Sequence, residues 1–279
     1  MRGQRRDPAS VVGGGLSKGP ANDSSHPTLG PKLPLGSHLY LYPDGPTFGR
    51  RFPFRPRPIR QTMTQDKPLG ILFDLDGTLL DSLADIAREM NAILAEDGLP
   101  THDHDAYRYF IGGGARHLAQ QALPENRRDQ TEAYLDRFER RYGQNLVVET
   151  APYPGILELL RTLRDRPMPM AILSNKPHDM TCALVDHFLD EFPFVAVAGA
   201  VDGEVKKPDP LAAAPLLGAL GLPPERVLMI GDTKTDMLTA RATGMRGIGV
   251  TWGFRDRAEL EEHGAEHVID SAPALLDLL

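Results

Sequence analysis

Two aspartates stand two residues apart where an apolar run ends: Phe73-Asp74-Leu75-Asp76-Gly77-Thr78 follows Leu69-Gly70-Ile71-Leu72. In extended backbone, side chains at i and i+2 point the same way, so both carboxylates can face one pocket. Paired carboxylates are equipment for passing protons or for holding a hard cation. Gly77 permits a sharp exit from a strand, and Thr78 is placed to hydrogen-bond nearby backbone. Chance would produce Asp-x-Asp-Gly-Thr in a chain of this length on the order of a few times in a thousand. A turn of solvated acids explains one aspartate at a strand end but not the whole pattern.

The elements that must position these residues are legible as five short apolar runs, at 69–73, 170–173, 194–198, 227–230 and 247–250. Helical stretches alternate with them, the signature of an α/β fold: a three-layer, Rossmann-like core with a mainly parallel sheet. The first, second and fourth runs end in Asp74, Ser174 and Gly231-Asp232. Ligands of open parallel sheets bind beyond the carboxyl ends of the strands, so these polar ends should converge. The insertion between the first two runs reads as a helical cap. Its opening helix puts Leu83, Ile86, Ala87, Met90, Ile93 and Leu94 on one face. Ser82 with Asp85 resembles a capping box, and Gly98 is a plausible stop. A second helical stretch, about 127–146, carries Leu135, Phe138 and Tyr142 on one side. The expected division is a core of 66–81 and 151–279, a cap of 82–150, and a front segment of 1–65.

The 279 residues are 41% hydrophobic and 25% charged, as in ordinary soluble proteins. No apolar run approaches the roughly 18–20 residues of a membrane span. The single cysteine, Cys182, cannot form an internal disulfide, which fits a reducing, cytoplasmic compartment, and it reads as an inert helix residue. The net charge of −7 is unevenly spread: residues 1–62 hold ten Lys/Arg against three Asp/Glu, the remainder 21 against 35. An acidic body argues against a nucleic-acid surface and suits an anionic ligand met in one local, metal-neutralised pocket. The first 62 residues contain ten Pro and nine Gly, so disorder is expected there. Within them, the basic stretch 50–58 and the run Gly13-Gly14-Gly15 read as unstructured leader, no apolar run follows Arg5-Arg6 or Arg50-Arg51 to make an export signal, and Met63 is a candidate start.

Three further motifs complete the set: Ser174-Asn175-Lys176, Lys206-Lys207-Pro208, and Gly231-Asp232-Thr233-Lys234-Thr235-Asp236. With the first motif, and in this order, they resemble the haloacid dehalogenase superfamily of phosphohydrolases over nearly everything from Leu69 to Leu279. The resemblance implies that Asp74 is a nucleophile forming an aspartyl phosphate and that Asp76 is a general acid and base. It implies Mg²⁺ held by Asp74, Asp232, the backbone carbonyl of Asp76, and Asp236 directly or through water. Ser174 would hydrogen-bond the transferring phosphoryl group, and Lys207, rather than Lys206, would neutralise its charge. Dehalogenases of the superfamily lack the second carboxylate, and the phosphonate-cleaving branch needs a cap lysine, of which residues 82–150 have none. A mutase would carry a histidine where Ile86 stands.

Within the phosphatases the chain is most similar to phosphoglycolate phosphatase, through 81–86, 173–177, 249–254 and the loop Ile111-Gly112-Gly113-Gly114-Ala115-Arg116. The implied reaction is hydrolysis of 2-phosphoglycolate to glycolate and phosphate. Another small ester (sugar phosphate, nucleotide or pyrophosphate) stays open. Thr78, Asn175, Lys176 and Arg116 are the candidate substrate-binding residues, with Arg116 or Lys176 receiving a carboxylate. The glycine loop reads equally as a close backbone approach to ligand or as an ordinary helix start. His102, His104 and His117 read as surface or cap-packing residues.

Overall fold

Period-two alternation of apolar side chains sets the centre of the molecule. In the computed structural model, which describes residues 70–279, β1 (Gly70–Phe73) is a central strand. Ile71 and Phe73 point to one face of the sheet and Leu72 to the other. The same alternation recurs at 170–173 and 227–230, and every one of these side chains is at most 4% exposed. Burying each of the larger ones is worth about 1.5–3 kcal/mol.

After β1 the chain passes through the two-residue strand β2 (Leu80–Asp81) into helices α1 (Leu83–Glu96), α2 (His104–Phe110), α3 (Ala115–Ala122) and α4 (Thr131–Tyr142). It returns through β3 (Ala151–Pro152), which pairs antiparallel with β2, and continues with α5 (Ile156–Arg164), β4 (Met170–Pro177) and α6 (His178–Phe188). Then follow β5 (Phe194–Ala200), α7 (Pro210–Leu220), β6 (Val227–Gly231), α8 (Lys234–Thr243), β7 (Arg246–Val250), α9 (Arg257–Glu262) and β8 (His267–Ile269). The six long-range strands form one parallel sheet in the order β5-β4-β1-β6-β7-β8. α5 and α6 cover one face and α7 and α8 the other, giving three layers. All five expected runs are strands. The sixth, β8, is three residues long with His267 as its first, too short to show a period.

Helices α1–α4 form a second hydrophobic cluster of their own, built on Ile86, Met90, Tyr107, Leu118, Phe138 and Tyr142. Gly98, at φ +66°, ends α1 as expected. The capping box at its start does not form: Ser82 makes no side-chain cap bond to the helix. Its hydroxyl donates instead to Asp76, at 2.6 Å. Asp85 is fully buried and accepts from the Val148, Glu149 and Thr150 amides and the Thr150 hydroxyl, at 2.7–3.1 Å. Local capping loses to tertiary partners, and Asp85 ties the chain's exit from the insert to its entry. No helix among the described residues is long and apolar enough to cross a membrane. The readings made of residues 1–65 lie outside the described residues.

Candidate active site

The register aligns Phe73 with Ile172 and Ile230, so Asp74, Ser174 and Asp232 leave the same edge of the sheet. Here Asp74, Asp232 and Asp236 each offer a carboxylate oxygen within 4.8 Å of one another, all buried. Lys207 Nζ donates to Asp74 Oδ1 and to Asp236 Oδ1, each at 2.6 Å. Asp236 sits in the first turn of α8, where its other oxygen accepts from the Thr233 amide (3.1 Å) and hydroxyl (2.8 Å). Asp232 Oδ1 accepts from the Thr78 hydroxyl at 3.2 Å and Oδ2 from the Phe254 amide at 2.8 Å. Gly77 makes this approach feasible: at φ +86°, a Cβ there would meet Asp232 Oδ2 at 2.2 Å.

Three buried carboxylates face a single lysine. Burial pushes the Asp74 carboxyl well above the usual carboxylate range; Lys207 opposes this, while Asp236 and Asp232 add to it. Burial and the Asp236 charge push Asp232 up to about 7. Burial alone would lower the Lys207 ammonium, but the carboxylates of Asp236 and Asp74 outweigh it and hold the group above its ordinary value. An all-oxygen donor set with surplus negative charge fits a hard divalent cation. The side chain of Asp76 lies outside this cluster.

Asp76 has a different environment. Its carboxylate accepts from Ser82 Oγ (2.6 Å) and from Lys176 Nζ (3.1 and 2.9 Å). Lys176, expected at the core edge, is 6% exposed. Its ammonium also donates to the Tyr142 hydroxyl at 2.8 Å and lies 4.5 Å from that ring's centroid. Tyr142 belongs to α4, so this contact joins the insert to the core.

A cleft of about 520 Å³, its open mouth included, lies where the strand ends meet the helical insert. Its core wall carries Asp74, Asp76, Ser174, Asn175, Lys176 and Lys207. The insert supplies Leu118, Phe138, Tyr142 and the glycine loop. Ser174 is buried, its hydroxyl accepting from the Lys176 amide at 3.2 Å. Asn175 Nδ2 donates to the carbonyls of Gly112 and Lys207, each at 3.0 Å, and its Oδ1 is buried without a partner. The glycine loop starts a helix, with Gly114 capping α3 at φ +91°, and it lines the cleft.

Two residues are not brought to the cleft. Thr78 is 1% exposed and spends its hydroxyl on Asp232 rather than on backbone or ligand. Arg116 is ion-paired with Glu132, with both side chains 60% exposed. α3 turns it outward from the glycine loop, so of the two cations expected to receive a carboxylate, Lys176 is the one that lines the cleft. His102 packs in the insert against Tyr107 and Phe110. Burial pushes the Cys182 thiol up to about 12, leaving it unreactive. Sequence reasoning saw Tyr142 only as a packing residue and gave Phe254 no role. The signals were a phenol closing the apolar stripe of α4 and an aromatic beside the glycine of the Trp252-Gly253-Phe254 loop.

Comparison with known proteins follows the same lines. The family profile of haloacid dehalogenase-like hydrolases matches residues 71–250. The chain is 33% identical over 215 residues to phosphoglycolate phosphatase 1 of Pseudomonas aeruginosa, covering 75% of this chain and 79% of that protein. It is 33% identical over 225 residues to phosphoglycolate phosphatase of Pasteurella multocida, covering 78% and 100%. A crystal structure described as a predicted phosphoglycolate phosphatase from Haemophilus somnus superposes with a TM-score of 0.68 at 28% identity, covering 77% of this chain and 99% of that one. With its parallel sheet, inserted helices and ordered motifs, the chain belongs to the haloacid dehalogenase-like hydrolase family.

Proposed function

We propose that this chain is a Mg²⁺-dependent phosphatase that hydrolyses a small phosphate monoester, 2-phosphoglycolate, to glycolate and phosphate. The observation that carries the reading is Lys207 bonded to both Asp74 and Asp236 beside Asp232. It makes the nucleophile a member of the cation-binding cluster. Asp74, Asp232 and Asp236, with the carbonyl of Asp76, would hold the Mg²⁺. When bound, Mg²⁺ supplies positive charge that lets an anionic carboxylate approach an anionic phosphoryl group.

A carboxylate oxygen of Asp74 attacks phosphorus, and the phosphorus–oxygen bond to the glycolate moiety breaks. Asp76 gives a proton to the leaving alkoxide. Lys207 and Ser174 hold the equatorial phosphoryl oxygens as charge shifts. Asp76 then takes a proton from water, which attacks the aspartyl phosphate, releases inorganic phosphate and restores Asp74. Lys176, within reach of Asp76, is the partner for a substrate carboxylate, and Asn175 positions the motif loop. The insert, residues 82–150, acts as a cap that excludes water when closed. The single, half-buried cysteine, Cys182, fits a cytoplasmic setting.

A second reading has one observation in its favour. The unpartnered Asn175 Oδ1 would accept a hydrogen bond from a hydroxyl-bearing ester such as a sugar phosphate, whereas fully ionised phosphoglycolate offers no donor. Phosphate release from phosphoglycolate, sugar phosphates, a nucleotide and pyrophosphate, with Mg²⁺ and again with EDTA, decides. Turnover of phosphoglycolate far above the others, lost in EDTA, is the expected result. A sugar phosphate in front keeps the chemistry and overturns the substrate, while turnover that survives EDTA overturns the metal.

A further inference from the structure

The three clustered carboxylates are not held alike. Asp74 and Asp236 are fixed by Lys207, and Asp236 also by Thr233, all from the core. Asp232 is fixed at one oxygen by Thr78 and at the other by the amide of Phe254, in the loop after β7. That loop is gripped by the helical insert. Arg108, in the last turn of α2, donates to the Gly253 carbonyl at 2.6 Å and the Phe254 carbonyl at 3.3 Å. In return, Arg255 donates to the carbonyls of Arg108, Tyr109 (3.4 Å) and Ile111 (3.0 Å), which terminate α2 and have no helical donor left to serve them. Arg255 also lies 5.1 Å from the Tyr109 ring centroid. Each arginine thus bonds the backbone next to the other.

Packing reinforces the clasp. The Phe254 side chain belongs to the core by sequence yet is 2% exposed within the hydrophobic cluster of the insert. The preceding residue has no room to shift: a Cβ on Gly253 would lie 2.2 Å from the Gly77 carbonyl and 2.4 Å from Asp232 Cβ. A displacement of α2 is therefore transmitted to the Phe254 amide, and from there to Asp232.

We propose that Arg108 is a positioning residue for Asp232: the closed insert, through the reciprocal Arg108–Arg255 clasp, holds the Phe254 amide on the carboxylate and so raises its affinity for the cation. The proposal rests on the cation reading of the carboxylate cluster. By linkage the effect runs both ways, and bound cation must in turn stabilise the clasp.

The sign of the effect separates positioning from simple charge. Removing a nearby positive residue would, by Coulomb's law alone, tighten binding of a dication. Loss of positioning weakens it. Titration of the full-length chain with MgCl₂ by calorimetry should show Arg108→Ala binding about tenfold more weakly than the parent. Arg116→Ala, which removes an exposed arginine of the insert, should match the parent. Equal or tighter binding by a folded Arg108→Ala overturns the proposal. Hydrogen exchange on the unmodified chain tests it without any variant: Mg²⁺ should raise protection of the amides at 108–111 and at Phe254. Unchanged exchange at 108–111 with Mg²⁺ demonstrably bound overturns the proposal alone. A parent chain that binds no Mg²⁺ overturns the cation reading and the proposal with it.

Discussion

Asp74 and Asp76 are separated by one residue, yet they sit in opposite electrostatic settings. Around Asp74, three buried carboxylates share one lysine. Around Asp76, one carboxylate has its own lysine and a serine hydroxyl, with a tyrosine behind the lysine. The first cluster is short of positive charge and gains from a cation. The second is balanced as it stands. Neighbouring positions on one strand end acquire different chemistry because consecutive same-face residues meet different elements, the β6–α8 edge in one case and the β4–α4 boundary in the other.

The comparison breaks most visibly at Asp74 itself. Asp74→Asn should lower phosphate release by about 10⁴-fold or more while far-UV circular dichroism stays unchanged; parental turnover would remove Asp74 from the chemistry. Lys207→Met strips the acidic cluster of the ammonium bonded to Asp74 and Asp236. Removing one partner of a buried pair costs about 3–5 kcal/mol, so urea unfolding in EDTA should show a loss of that order. Lys176→Met should act on the balanced site, lowering kcat/KM for phosphoglycolate by about 10–100-fold through loss of a charged hydrogen bond. An ester with an uncharged tail should lose less, and equal losses would deny Lys176 a role in recognising the substrate carboxylate.

The smallest effect is the most diagnostic of the charge surplus. Asp232 is raised from 3.8 to about 7 in the folded chain. A carboxyl raised on folding binds its proton more tightly in the native state, so its contribution is present below about 4 and is lost as pH rises through about 7. Asp74 is displaced in the same direction. A bound Mg²⁺ would supply positive charge where the proton has left. The rise in Tm on adding Mg²⁺ should therefore be larger at pH 8 than at pH 5.5, by scanning calorimetry. A rise independent of pH would mean that these carboxyls are already ionised throughout that range.

Much of the acidic cluster was legible in the sequence because its members stand at strand ends and one helical turn beyond. Asp74, Asp232 and Asp236 are placed by local geometry once their strands are recognised. The balanced site was less legible. Ser82 looked like a helix cap because capping depends on near neighbours, while its partner Asp76 is reached only by the fold of the intervening turn. Lys176 looked like an edge charge because nothing in sequence announces that Tyr142, 34 residues away, will close over it. Arg116 shows the converse: adjacency to the glycine loop says nothing of the direction in which α3 sends its side chain, here toward Glu132. Phe254 carries two roles at once, an amide for Asp232 and a ring for the insert's interior, and neither has a local signature.

The short pairing of Leu80–Asp81 with Ala151–Pro152 has a consequence for how such a chain can change over time. The polypeptide leaves the parallel sheet and comes back at adjoining points, so everything between is a loop whose ends are already joined. Lengthening a closed loop is inexpensive, about 0.6 kcal/mol for each doubling. The segment bearing Leu118, Phe138 and Tyr142 is thus free to be shortened, enlarged or exchanged without asking the β1 strand end to move. A scaffold arranged this way can renew one wall of its cleft by replacing the stretch after α2, while the Arg108 contacts to the Phe254 loop stay in place.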